Sequence, residues 1–291
     1  MKILVKTTVN YTTDDADWSI RNFDWLANTL SSIDNTVVVA HDRKVNDQAD
    51  PELLNLPQSD FDQLWFIGLD GGNSLLAGEA EAIHAFRRLG GAVLLTRDHQ
   101  DMGKGFLALG ALGHLHNFNQ ANPPSDLSRQ ASDDTYNTGI SWPNYHSGSN
   151  GEAQEVSATE PLHPIAQRPD QQPLRWLPAH PHEGSISVTP ELQDVAQVVL
   201  QGKSQCSGNT FNIAIAVENQ TDTDGQALGR AVCESSFHHF CSYNLDTTHS
   251  CPSFVIDQPL NTLKDHSEAL ADTQQYVINL ANWLGTRTHS A

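Results

Sequence analysis

Basic residues are scarce. The chain has 291 residues, with 16 Lys and Arg against 35 Asp and Glu, a formal net charge of −19. The deficit is general: residues 1–150 carry 10 basic and 19 acidic groups, and residues 151–291 carry 6 and 16. No basic stripe exists, which argues against nucleic acid and anionic membrane as partners. Long apolar runs are also lacking, and none reaches the roughly 18 residues of a membrane-spanning helix. The opening MKILVKTTVNYTTDDADW turns acidic after one short apolar stretch. It reads as a first strand, not a secretory leader, so a cytoplasmic protein is expected. There are four cysteines, Cys206, Cys233, Cys241 and Cys251, with no CxxC pair. Free thiols are expected in place of a disulfide framework. Sequence patterns for a GxSxG elbow, a P-loop and a GxGxxG after the first strand are missing. No nucleotide cofactor is therefore expected.

What remains suffices for a core. Hydrophobic residues make up 38%, and glycine brings the apolar share to about 45%, the low edge of the globular range. The length fits one large domain spanning 1–291, with a long insertion. Apolar runs at 2–9, 36–42, 63–69 and 92–96 read as strands. Helical spacing at 18–31 (Phe23, Leu26, Ala27, Leu30) and at 78–89 (Ile83, Phe86, Leu89) alternates with them. Continuous apolar strands between helices indicate a parallel sheet covered on both faces. The expected fold class is a three-layer α/β sandwich with a mostly parallel sheet, flavodoxin-like in the broad sense.

The pattern dissolves over 117–173, which is rich in Asn, Gln, Ser, Pro and Asp. A structureless span of that length is uncommon inside a domain. It reads either as a lid over a site or as a surface excursion. Strand patterns return at 174–178, 211–219 and 229–237, and a final helix spans about 266–284. Asp265 is its expected cap, with Glu268 as the capping-box partner.

Histidine and carboxylate concentrate in three short segments: Thr96-Arg97-Asp98-His99-Gln100-Asp101, His180-Pro181-His182-Glu183-Gly184, and Ser235-Ser236-Phe237-His238-His239. Two of them follow strands directly, where ligands bind in open parallel sheets. Imidazole and carboxylate suit two uses. They bind a divalent cation, or they carry protons near neutral pH. An extended His180-x-His182 would send its rings to opposite faces, and the adjacent His238 and His239 also diverge. Trp18, Trp142 and Trp176 could cover a ligand or fill the core, and Trp65 is expected in the core.

GGAVLLTRDHQDMGKGF resembles the nucleophile region of class I glutamine amidotransferase-like proteins, and GRAVCESSFHHF resembles that family's strand ending in the catalytic His. The alignment puts Thr96 at the nucleophilic Cys, His238 at the His and Phe240 at the Glu. Without Cys and Glu no glutamine-hydrolysing triad can be assembled. The motifs TRDHQDMG, HPHEG and SSFHH are similar to those of the ThuA-like (trehalose utilisation) branch, which generally lacks the triad. That resemblance implies a glutamine amidotransferase-like fold and carbohydrate metabolism.

The resulting expectation is an enzyme, of hydrolase or isomerase type, acting on a small polar molecule. Asp98, His99, His238 and Glu183 would be catalytic, and Thr96, His180 and His239 would bind substrate. A divalent metal (Zn, Mn or Fe), if used, would be drawn from His99, His180, His182 and His238. The partner would be a small-molecule ligand, with homo-oligomerisation left open. The alternative is a non-catalytic binding or scaffolding protein on a fold that has lost its triad.

Overall fold

Four apolar runs of the first third lie side by side. The computed structural model describes residues 1–9, 18–45, 48–72, 75–124, 133, 139–246, 252 and 260–285. In it β1 (Lys2–Thr7), β2 (Val37–His41), β3 (Gln63–Ile67) and β4 (Ala92–Thr96) pair in parallel, in the order β2-β1-β3-β4. The remaining described strands are β5 (His116–Asn117), β6 (Ala153–Glu155), β7 (Ser157–Ala158), β8 (Trp176–Pro178), β9 (Ser185–Ile186), β10 (Ala196–Lys203), β11 (Thr210–Val217) and β12 (Ala231–Glu234). β12 joins β4 in parallel, and β11, β10 and β7 continue antiparallel to complete an eight-stranded sheet. β5 with β9 and β6 with β8 form two short antiparallel pairs outside it.

The alternation of side chains sorts the sheet into two faces. Ile3, Val5, Trp65, Ile67, Leu94 and Val232 point to one, against Leu26 and Leu30 of α1 (Asp24–Ser31) and residues near the C-terminus. Leu4, Leu64, Phe66, Val93 and Leu95 point to the other. There they meet Leu53 of α2 (Pro51–Leu54) and Ile83 and Phe86 of α3 (Ala77–Arg88). Three short or long helices follow: α4 (Ser242–Leu245), α5 (Thr262–Asp265) and α6 (Ser267–Gly285). Tyr276, Val277, Leu280 and Leu284 of α6 complete the first face. Burying each such aliphatic side chain is worth roughly 1.5–3 kcal/mol. The architecture is a three-layer α/β sandwich whose sheet is mostly parallel.

Several local expectations change. The 18–31 segment begins with a 3-10 turn at Ile20–Phe23 before α1. Leu89 is 69% exposed, because α3 ends at Arg88. α6 is capped by His266, whose Nδ1 accepts from Ala269 N at 3.1 Å. Asp265 instead closes α5, and Glu268 pairs with Arg168 at 2.7 Å. Trp65 is fully buried as expected, and Cys233 is a buried free thiol. Cys251 lies outside the described residues.

Much of the described part of 117–173 is packed into the fold, though 169–173 are exposed. Tyr145 stacks on Phe211 with ring centroids 4.9 Å apart and planes 7° from parallel. Ile165 and Ala166 sit in the first core face. β6 and β7 fall within this stretch, and Asn144, Ser147 and Gln154 are buried. Residues 125–132 and 134–138 lie outside the described part. No helix among the described residues is long and apolar enough to cross a membrane.

Candidate functional site

β4 and β12 are neighbours, with Thr96 opposite Glu234 at their carboxyl ends. Whatever follows each strand must therefore emerge at the same edge. After β4 the chain runs through Arg97, Asp98 and His99. Arg97 is buried and its guanidinium pins this turn, donating to the carbonyls of Asp98, Gln100 (2.7 Å) and Asn117 (2.7 Å). It lies 4.3 Å from the Phe118 ring centroid. Burial pulls its pKa down to about 9, against the opposing charges of Asp98 and Asp101. After β12 a 3-10 turn, Phe237–His239, is started by Ser236, whose Oγ accepts from His238 N.

The third segment is brought in from outside the sheet. Tyr145 and Glu183 exchange backbone hydrogen bonds at 3.0 and 2.9 Å. Gly184 then presses on the strand ends. A Cβ built there would lie 2.2 Å from Ser235 O and 2.8 Å from Asp98 O. Only glycine permits that approach. Residues 181–182 form a turn, not an extended stretch. His180 and His182 consequently do not face opposite ways; their rings meet edge-to-face with centroids 5.5 Å apart.

All three segments meet on Asp98. Its side chain is fully buried, and three imidazoles converge on Oδ2: His99 Nδ1 at 2.6 Å, His238 Nε2 at 3.3 Å and His180 Nε2 at 3.5 Å. Oδ1 accepts from Ser236 Oγ at 2.9 Å. The rings of His180 and His238 stack at 3.4 Å between centroids and 11° from parallel. Each is oriented from behind: His180 Nδ1 lies 2.8 Å from Asn150 Oδ1, and His238 Nδ1 lies 2.8 Å from Tyr243 Oη. Trp18 packs edge-on to His238, with centroids 5.4 Å apart. His182 touches the His99 ring edge-to-face, with centroids 5.6 Å apart. Asp98, His180 and His238 are buried, while the His99 side chain keeps 19% of its surface exposed.

Burial lowers the pKa of His180 far below the ordinary histidine value, and its neighbour His238 lowers it further. Burial also lowers His238, against the pull of Asp98. For Asp98 burial alone would favour the neutral acid, but the surrounding imidazoles hold its carboxyl well below the usual range.

His239 diverges from His238 as expected and belongs to a second cluster. Its Nδ1 lies 2.5 Å from Glu234 Oε1, and its Nε2 lies 3.1 Å from Glu183. Burial opposes the charged imidazole, but the two carboxylates outweigh it and raise the His239 pKa well above the usual value. Burial raises Glu234. Glu183 also accepts from Ser147 Oγ (2.7 Å) and Gln154 Nε2 (2.5 Å). Glu183 and His239 therefore stand beside the Asp98 centre, not within it. Thr96 is fully buried under the edge, its hydroxyl 3.4 Å from Glu234 Oε2. The backbone there is regular strand; positive φ comes only at Gln100 (+51°), four residues on. Ser236 joins both clusters, because its N–H donates to Glu234 Oε2 at 2.8 Å.

Sequence patterning misses Glu234, Asn150 and Tyr243, and it names Ser236 only as part of the third segment. Glu234 carries a visible signal, an acid closing an apolar strand. Asn150 and Tyr243 carry none.

No family model and no curated protein matches the chain. Among solved structures, the mmIFT52 N-terminal domain is similar with a TM-score of 0.54 and 14% identity, over 99% of this chain and 100% of that one. This likeness is one of fold alone. The cytoplasmic protein STM3548 from Salmonella typhimurium matches with a TM-score of 0.42 and 14% identity, over 95% of this chain and 98% of that one. The glutaminase domain of Trypanosoma brucei CTPS with bound acivicin gives 0.47 and 12%, over 97% and 94%. Both scores are too low to build on.

Proposed function

We propose that this chain is an enzyme that moves protons on a small polar molecule, with Asp98 and His99 as its working pair. The observation that carries this is the 2.6 Å contact between His99 Nδ1 and the buried Asp98 carboxylate, on a side chain that keeps 19% of its surface exposed. A carboxylate so placed fixes the tautomer, leaving Nε2 to accept a proton from a ligand. Both hydrolysis and isomerisation use such a base. The ThuA-like resemblance of the three motifs suggests a sugar-derived ligand in a cytoplasmic setting. Glutamine hydrolysis is disfavoured, since Thr96, which aligns with the nucleophilic Cys, is a fully buried hydroxyl on a regular strand.

The test uses a panel of aldoses, ketoses, sugar lactones and glycosides incubated with the chain in D2O. Proton NMR follows C–H exchange and bond cleavage. Turnover of one class is expected, with His99→Ala slower by about 10²–10⁴-fold and unchanged in Tm. Turnover equal in His99→Ala and wild type, or none across the panel, overturns the assignment.

A further inference from the structure

The Asp98 centre holds a pairing problem that proton transfer alone does not resolve. His180 Nδ1 faces the amide oxygen of Asn150, an acceptor, so Nδ1 carries the ring proton. Nε2 is then a lone pair. It is buried, has no hydrogen-bond partner, and faces the Asp98 carboxylate at 3.5 Å. Two electron-rich atoms facing each other away from water are costly. Charging the ring is no remedy, because His180 is stacked at 3.4 Å on His238, which has its own Nε2 3.3 Å from the same oxygen. A cation between the three atoms satisfies all of them.

We propose that Asp98 Oδ2, His180 Nε2 and His238 Nε2 are the ligands of a divalent-metal centre, zinc foremost. The ligand atoms lie within 4.8 Å of one another. Tetrahedral bonds of about 2.1 Å give ligand–ligand edges of about 3.4 Å. The two oxygen–nitrogen separations, 3.3 and 3.5 Å, match that edge, while the His180 and His238 rings, now stacked with centroids 3.4 Å apart, must open to about 5 Å for both lone pairs to meet one tetrahedral ion. An octahedral ion with similar bonds would want about 3.0 Å. The outer partners fit as well: metal-binding histidines hold their second nitrogen to a fixed polar group, here Asn150 and the Tyr243 hydroxyl. His99 stays outside the ligand set, its Nδ1 hydrogen-bonded to the ligand oxygen. Taken together with the function proposed above, on which this part rests, the fourth position would be open to water or substrate, with His99 beside it on the Asp98 carboxylate.

The experiment uses the full chain, stripped with a chelator and titrated with Zn(II) by calorimetry and with Co(II) by visible spectroscopy. One site per chain and the intense d–d bands of tetrahedral Co(II) are expected. His180→Gln and Asp98→Asn weaken binding by more than 10²-fold, and Asn150→Ala and His99→Ala by about 10–100-fold. Circular dichroism confirms that each variant is folded. If Asp98→Asn fails to fold, His180→Gln alone decides. Binding unchanged in His180→Gln, or absent from the wild type, overturns the metal centre. A loss in His99→Ala as large as in His180→Gln overturns the ligand set. Metal binding without turnover would leave this centre standing and remove the function above. Sugar turnover in the chelated chain would do the reverse.

Discussion

Gly184→Ala is the sharpest probe of how the site is assembled. The added methyl would sit 2.2 Å from Ser235 O and 2.8 Å from Asp98 O, with Arg97 Nη1 at 3.1 Å. A carbon–oxygen contact needs about 3.3 Å, so something must move by about 1 Å. The carbonyl side cannot yield easily. Ser235 N is bonded to Ile213 O, and Arg97 holds the carbonyl of Asp98. The 180–184 turn must give way instead, carrying His180 off the Asp98 oxygen and Glu183 off His239. Overpacking of this kind costs about 1–3 kcal/mol, a drop of roughly 2–5 °C in Tm for a chain of this size. A 1 Å displacement at a reacting centre costs about 10²-fold in rate, far beyond what the stability loss would cause. Differential scanning calorimetry and the NMR turnover assay read the two effects separately. Gly78→Ala is the control, since its Cβ meets only Leu54 Cδ2 at 3.5 Å on an exposed part of α3. It should match or exceed wild type in Tm. A Gly184→Ala protein with wild-type Tm and turnover would show that the close approach does not position the site.

Two further outcomes follow from the other end of the sheet edge and from the segment around Tyr145. Lys6 is fully buried, with Nζ 3.1 Å from Asp50 Oδ2 and 2.8 Å from Glu52 Oε2. Lys6→Met should cost about 3–5 kcal/mol in urea denaturation by stranding these carboxylates; a loss under 1 kcal/mol refutes the pairing. Burial alone would raise both acids, but backbone N–H groups and Lys6 lower Asp50, and Lys6 with His41 lowers Glu52. Their stabilisation is therefore complete above about pH 4 and lost as pH falls below it. The acid slope of stability should flatten in Lys6→Met, and an identical slope would contradict the linkage. Tyr145→Ala should cost about 3–5 kcal/mol by removing the ring stacked on Phe211. A cost below 0.5 kcal/mol, on the order of an ordinary surface change, would place 139–173 outside the folded core.

The half of the fold that alternates strand and helix is legible because its strands are apolar on both faces. β1, β3 and β4 announce themselves, and β3 and β4 pair in chain order, while β1 sits between β2 and β3. β10 does not, since Gln197, Gln201 and Lys203 interrupt its apolar residues near the sheet's antiparallel side. The 117–173 stretch misleads for a physical reason. A segment that wraps a cluster of carboxylates and imidazoles must itself be polar to satisfy them. Ser147, Asn150 and Gln154 are buried and hydrogen-bonded, yet by composition they read as surface. The three histidine segments are visible as a local excess. Their convergence on one oxygen depends on a turn at 181–182 that no period reveals. Asn150 and Tyr243, which set the imidazole nitrogens, come from regions with no distinguishing pattern.

Ser236 gives the sheet edge a property that neither acid–imidazole group has alone. One residue lends its amide to Glu234 and its hydroxyl to Asp98. The two groups are therefore mechanically geared. Replacing Glu234 shifts the serine that steadies Asp98, so paired substitutions at these positions should depart from additivity. A designer wishing to retune one centre would have to redesign its twin in the same stroke.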